Sequence, residues 1–121
     1  MAKKIMTVDD SATIRMMLNL TLTDAGYDVV EARDGREALA MLTKFSVDML
    51  VTDLNMPLLN GIELVSAVRH LPGGRFLPII MLTTETAELK KRNAKSVGVS
   101  GWLTKPFKAQ QLLGVVKMIL I

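Results

Sequence analysis

Val47-Asp48-Met49-Leu50-Val51-Thr52-Asp53 is the stretch on which the reading of the chain turns. Met49, Leu50 and Val51 form an unbroken apolar run closed by a polar residue and a carboxylate, and Asn55, Met56, Pro57 and Asn60-Gly61 follow at once. An apolar run this short, bounded by turn residues, predicts a strand buried on both faces, as in the centre of a parallel sheet. In open α/β sheets the chemistry lies just beyond the carboxyl ends of the strands. Asp53 therefore stands where such a fold carries its working residue.

On either side of this run, strand-like and helix-like segments alternate without a linker or repeat. Residues 5–8 read as a first strand ending at Asp9-Asp10. Asp10 or Ser11 can cap a helix to about Ala25, with Ile14, Leu18 and Leu22 on one face and Gly26 as its stop. Residues 27–31 read as a weaker second strand. Asp34-Gly35-Arg36-Glu37 has the form of a capping box for a helix carrying Ala38, Leu39, Met41 and Leu42.

Beyond Asp53, Asn60-Gly61-Ile62-Glu63 repeats that pattern ahead of Leu64, Val65 and Val68, and Pro72-Gly73-Gly74 is a loop. Residues 78–82 form another buried strand, ending at Thr83-Thr84. A polar, basic helix is expected from about Thr86 to Val97, closed by Gly98. A fifth strand over 100–104 ends at Lys105-Pro106, and a last helix runs from about Ala109 to the end. Five β-α units in a row predict an α/β fold, a doubly wound parallel five-stranded sheet with helices on both faces.

At 121 residues, half of them apolar, residues 1–121 are expected to be a single domain with a full core. There is no cysteine, which excludes disulfides, thiolate metal sites and cysteine nucleophiles and fits a reducing compartment. The stretch before the first strand is too short for a signal peptide, and no apolar run reaches membrane-spanning length. The expectation is a cytoplasmic protein without a membrane partner. The net charge of +3 hides an asymmetry: all twelve acids lie at or before Glu88, and seven basic residues and no acid follow Glu88. That split points to a positive face for an acidic partner.

The ends of the more apolar strands carry Asp9 and Asp10, Asp53, Thr83 and Lys105. On neighbouring strands, three carboxylates, a hydroxyl and an ammonium would meet on one rim. At about 4 Å and an effective dielectric near 20, each pair of like charges costs roughly 4 kcal/mol. A hard divalent ion relieves that repulsion, and Mg²⁺ fits because it uses few carboxylates, keeps waters and bridges to phosphate oxygens. Asp53 is then a nucleophile able to take up a phosphoryl group as an acyl phosphate, helped by a charge from Lys105 and a hydrogen bond from Thr83. Asp9 and Asp10 alone would read as caps of the first helix; beside Asp53 and Lys105 they read as a site.

Asp9-Asp10, Asp53 with Met56-Pro57 and Asn60-Gly61, Thr83, and Lys105-Pro106-Phe107, in that order, make the chain resemble the receiver domains of two-component response regulators, most nearly the stand-alone chemotaxis regulators. The resemblance spans essentially the whole chain. It implies a (βα)₅, flavodoxin-like sheet in the order 2-1-3-4-5. It also implies Mg²⁺ held by Asp10, Asp53 and the main-chain carbonyl of Asn55, with Asp9 acting through water. Asp53 would accept phosphate from a histidine kinase, Thr83 and Lys105 would hold the phosphoryl oxygens, and Lys105-Pro106 would be cis. Asn55 and Glu85 would tune the lifetime of the phosphate. In such domains Thr83 and a strand-five aromatic, here Trp102, form a switch that alters the face of the fourth helix, fifth strand and fifth helix. Trp102 departs from the usual Tyr or Phe, and its indole N–H needs a partner if it swings inward. Thr84 is bulkier than the small residue often found after the site hydroxyl.

The last helix carries more apolar residues than one buried stripe needs: Leu112, Leu113, Val115, Val116, Met118, Ile119, Leu120 and Ile121. Beside Lys90, Lys91, Arg92 and Lys95 they predict a docking face for an output protein or a homodimer contact. His70, the lone histidine, reads as a surface residue near a helix end, and the nine methionines as core filler. The expectation is thus a phosphoacceptor signalling module that assists its own phosphorylation and dephosphorylation, in chemotaxis or motility control. A receiver cut from a larger regulator is its nearest alternative. An aspartate-nucleophile phosphatase would need a second acid two residues after Asp53, where Asn55 stands. A nucleotide or flavin binder would need a glycine-rich phosphate loop after strand one. Direct nucleic-acid binding is not expected, because a DNA-binding regulator would need a further domain.

Overall fold

The computed structural model describes residues 2–84 and 98–120. Five parallel strands stand in the order β2-β1-β3-β4-β5: β1 Lys4–Val8, β2 Asp28–Ala32, β3 Met49–Asp53, β4 Ile79–Thr83 and β5 Gly101–Thr104. Three helices, α1 Ala12–Asp24, α2 Gly35–Leu42 and α3 Gly61–Val68, and a C-terminal helix, Ala109–Ile119, complete the described fold. The basic helix expected over 86–97 lies outside the described residues.

Period-two alternation along the strands sorts the core into two layers. Met6, Val8, Leu50, Ile79 and Met81 pack with Ala38, Leu64, Val65 and Val68 of α2 and α3. Ile5, Met49, Val51, Ile80 and Leu82 pack with Leu18 and Leu22 of α1 and with Leu112 and Val116 of the C-terminal helix. All five residues of β3 and of β4 are buried, which is why their apolar runs do not alternate with polar residues. Each fully buried aliphatic or methionine side chain contributes roughly 1.5–3 kcal/mol. Asp53 and Thr83 thus stand at the ends of the two most fully buried strands.

Caps fix where the helices start and stop. Of the two candidates, Ser11 caps α1, its hydroxyl accepting from the Ile14 N–H at 3.3 Å. After Ala25, Gly26 takes φ +97°; its N–H donates to the Thr23 carbonyl, and that of Tyr27 donates back to Leu22. That pair of bonds closes the helix as a left-handed glycine allows. The capping box at α3 is reciprocal, with Glu63 N–H donating to Asn60 at 2.8 Å and Asn60 N–H to Glu63 at 3.0 Å. The box expected at α2 is half formed. Asp34 accepts from the Glu37 N–H, but Glu37 reaches past it to the Arg33 N–H at 2.9 Å and to the Arg33 guanidinium.

The C-terminal helix absorbs more of its apolar excess than its composition predicts. Leu112 and Val116 are fully buried, while Leu113, Val115, Ile119 and Leu120 pack against the same layer. Met118 stays largely exposed. His70 is exposed just past α3, its Nδ1 at 2.8 Å from the Ser66 carbonyl.

Candidate phosphoacceptor site

Parallel pairing brings the carboxyl ends of β1, β3, β4 and β5 to one edge of the sheet. Asp9 and Asp10 follow β1, Asp53 ends β3, Thr83 ends β4 and Lys105 follows β5. Register carries the line across: Asp53 pairs with Leu82, and Thr83 with Thr104. Main-chain bonds hold the tips together, from Leu54 N–H to the Leu82 carbonyl at 2.9 Å and from Lys105 N–H to the Thr83 carbonyl at 2.8 Å. Gly61, at the start of α3, lets that helix lie directly on the β3 tip. A Cβ there would collide with the Asp53 carbonyl and come within 2.8 Å of Met81 Sδ.

One carboxylate oxygen from each of Asp9, Asp10 and Asp53 falls within 4.8 Å of the others. Asp9 is fully buried, Asp53 is 6% exposed and Asp10 is open to solvent. Lys105 Nζ lies 2.9 Å from Asp9 Oδ2 and 3.2 Å from Asp53 Oδ1, a counter-ion shared between the two buried acids. Burial raises the pKa of the Asp53 carboxyl above its ordinary value, and the charge of Asp9 raises it further; Lys105 and the Leu54 N–H offset only part of this. For Lys105, burial works against the charge. The hydrogen bond to Asp9 and the charges of Asp53 and Asp9 outweigh it, so its pKa is raised. An acid made costly to ionise and flanked by other acids has a standing demand for positive charge. The oxygen-only, hard donor set fits Mg²⁺.

Asn55 is exposed in the loop after β3, Thr83 is buried, and the Lys105-Pro106 bond is cis. Trp102 is half-buried on β5 beside Met81 and packs against the α2–α3 layer. Glu85 lies outside the described residues, as do Lys90, Lys91, Arg92 and Lys95.

One residue beside the rim and one in the loop after β3 escape sequence reasoning. Arg15 of α1 donates to the Asp9 carbonyl at 2.6 Å; an arginine on an amphipathic helix gives no sign of this, since its partner lies in a loop. Leu58 sits at φ +71° and is 66% exposed, in a region where glycine or asparagine is the usual signal.

The sequence profile of the family "Response regulator receiver domain" matches residues 5–117. The chain belongs to the response regulator receiver domains. A chemotaxis protein CheY homolog of Campylobacter jejuni is 45% identical over 111 residues, covering 90% of this chain and 85% of its own. Among solved structures, CheY4 of Vibrio cholerae superposes with a TM-score of 0.95 at 48% identity, covering 98% of this chain and 99% of its own. The receiver domain of the sensor histidine kinase PA1611 of Pseudomonas aeruginosa, determined with a magnesium ion coordinated in its active-site cleft, reaches 0.91 at 26% identity over 99% and 98% of the two chains. Membership makes this receiver a signalling module of a two-component system, consistent with chemotaxis, and receiver domains bind Mg²⁺ at their acidic pocket. Among the described residues, no helix is long and apolar enough to cross a membrane.

Proposed function

We propose that this receiver, acting over residues 1–121 as one cytoplasmic unit, stores a signal as a phosphoryl group on Asp53. An Asp53 carboxylate oxygen attacks the phosphorus of a phosphohistidine on a histidine kinase. The O–P bond forms as the N–P bond breaks, and the imidazole leaves. The observation that carries this reading is the convergence of Asp9, Asp10 and Asp53 within 4.8 Å, with Lys105 between the two buried acids. Asp10, Asp53 and the Asn55 carbonyl would hold Mg²⁺ directly, and Asp9 through water. When bound, the ion supplies charge neutralisation for the transferring phosphoryl oxygens. Lys105 turns its ammonium from Asp9 and Asp53 to the incoming oxygens, and Thr83 donates a hydrogen bond to them. Positioning and charge, rather than further covalent help, carry the transfer.

Removal of the phosphoryl group is attack by water on the same phosphorus, with Asn55 and Glu85 setting the access of that water. Output follows from the nearly two negative charges added at the rim. Thr83 moves toward them, the space beside Trp102 changes, and the face of the 86–97 segment, β5 and the C-terminal helix alters its affinity for an acidic output partner. That is a shift between two packings rather than a new fold.

Label transfer tests the chemistry. A kinase carrying radiolabelled phosphohistidine should pass its label to the wild-type chain in Mg²⁺ and not in EDTA, and hydroxylamine should release the label as expected of an acyl phosphate. Label that resists hydroxylamine, or that transfers equally to Asp53→Asn, would contradict the assignment.

A further inference from the structure

Asp10 is the one member of the acidic trio that is open to solvent, and its side chain makes no hydrogen bond or ion pair among the described residues. With no contact of its own, the carboxylate takes its starting point from the backbone, the peptide plane that joins the Asp9 carbonyl to the Asp10 N–H and places the Asp10 Cα. That plane is held from outside the rim. Arg15 Nη1 donates to the Asp9 carbonyl at 2.6 Å, and the same guanidinium lies with Nε 3.4 Å from Glu31 Oε1 on β2. The Arg15 side chain is only 15% exposed. Asn19 Nδ2 donates to the other oxygen of Glu31 at 2.8 Å, and the Thr23 hydroxyl donates to Asn19 at 3.0 Å. A chain of polar contacts thus runs from the surface of α1 across β2 to the backbone of the metal rim.

We infer that Arg15 is a positioning residue of the receiver: braced by Glu31, it fixes the Asp9–Asp10 peptide and so aims the Asp10 carboxylate at the Mg²⁺ position. The inference rests on the reading of the rim as a Mg²⁺ site. Its sign separates it from simple electrostatics. A fixed positive charge beside a cation site repels the incoming ion, so deleting a bystander arginine would tighten Mg²⁺ binding. Deleting a positioning arginine frees the peptide plane and weakens binding. Outer partners that orient metal ligands act on affinity by about 10–100-fold. Lysine keeps the charge but lacks the planar fork that lets one side chain serve the Asp9 carbonyl and Glu31 together.

Calorimetric titration of the full chain with Mg²⁺ alone tests this, with thermal unfolding in EDTA as a check on folding. Arg15→Met should bind Mg²⁺ about ten-fold more weakly than wild type, and Arg15→Lys should fall between the two. If Arg15→Met fails to fold, Arg15→Lys decides: weaker binding at an unchanged melting temperature supports the placement, and wild-type affinity overturns it. Unchanged or tighter binding by a folded Arg15→Met overturns the inference while leaving the Mg²⁺ site standing. A wild-type chain that takes up no Mg²⁺ overturns both.

Discussion

At the scale of the residue, the site is defined by what Asp53 gives up in being buried beside Asp9. Its pKa is raised, so the fold prefers the protonated form more than the unfolded chain does. The contribution of this group to stability is therefore greatest at low pH and is lost as pH rises from the ordinary value of 3.8 through the raised one. Once ionised, and without metal, Asp53 works against the fold despite Lys105. Asp53→Asn keeps the shape and removes the charge. In EDTA at pH 7 it should be more stable than wild type by about 1 kcal/mol in urea unfolding. The gap should close as pH falls toward 4 and as Mg²⁺ is added. Lys105→Met should act in the opposite way. Leaving Asp9 and Asp53 without their shared counter-ion should destabilise the metal-free protein by about 2–4 kcal/mol while tightening Mg²⁺ binding, because the ammonium no longer competes for the same carboxylates. Asp9, Asp10, Asp53, Thr83 and Lys105 could all be found from sequence, because each closes or follows an apolar run where a parallel strand must end. Arg15 could not, since its function depends on a carbonyl and on Glu31 of a neighbouring strand.

At the scale of the element, the loop and helix after β3 keep Asp53 in place. Gly61 is required by contact rather than by backbone freedom. Gly61→Ala pushes a Cβ into the Asp53 carbonyl and against Met81, and should destabilise the chain by about 1–3 kcal/mol and slow phosphorylation, both measurable on the same variant. Leu58 is the converse case, a residue strained by its backbone with no burial to offset it. Leu58→Asn should raise stability by about 1 kcal/mol in urea unfolding. The alternation of strands and helices, the Gly26 stop and the Asn60–Glu63 box were all legible in the sequence, because each is a local pattern answered by local bonds. The half-formed box at Asp34 was not. Glu37 chose the Arg33 N–H and guanidinium together, and a charged neighbour outside the four-residue pattern decided its direction. The C-terminal helix shows a similar limit, since counting its apolar residues could not reveal how many of them join the core layer shared with α1.

At the scale of the whole molecule, the sheet links the rim to a reporter. Trp102 is the single tryptophan and stands on β5 opposite Met81, two residues before Thr83 on β4. Phosphorylation should change its emission, and Thr83→Ala should still accept phosphate while losing most of that change; an identical emission change in the variant would separate Trp102 from the switch. The order of the strands would keep such coupling short, because β4 lies between β3, which ends at Asp53, and the strand that bears Trp102. That order came to the sequence reading through family resemblance, since segment patterns alone specify alternation but not which strands are neighbours. The most direct measurement is the intact mass of the chain after exposure to acetyl phosphate. The wild type should gain one phosphoryl group in Mg²⁺ and none in EDTA, and Asp53→Asn should gain none in either. A gain that persists in Asp53→Asn, or a folded, Mg²⁺-loaded wild type that gains nothing, would contradict the account.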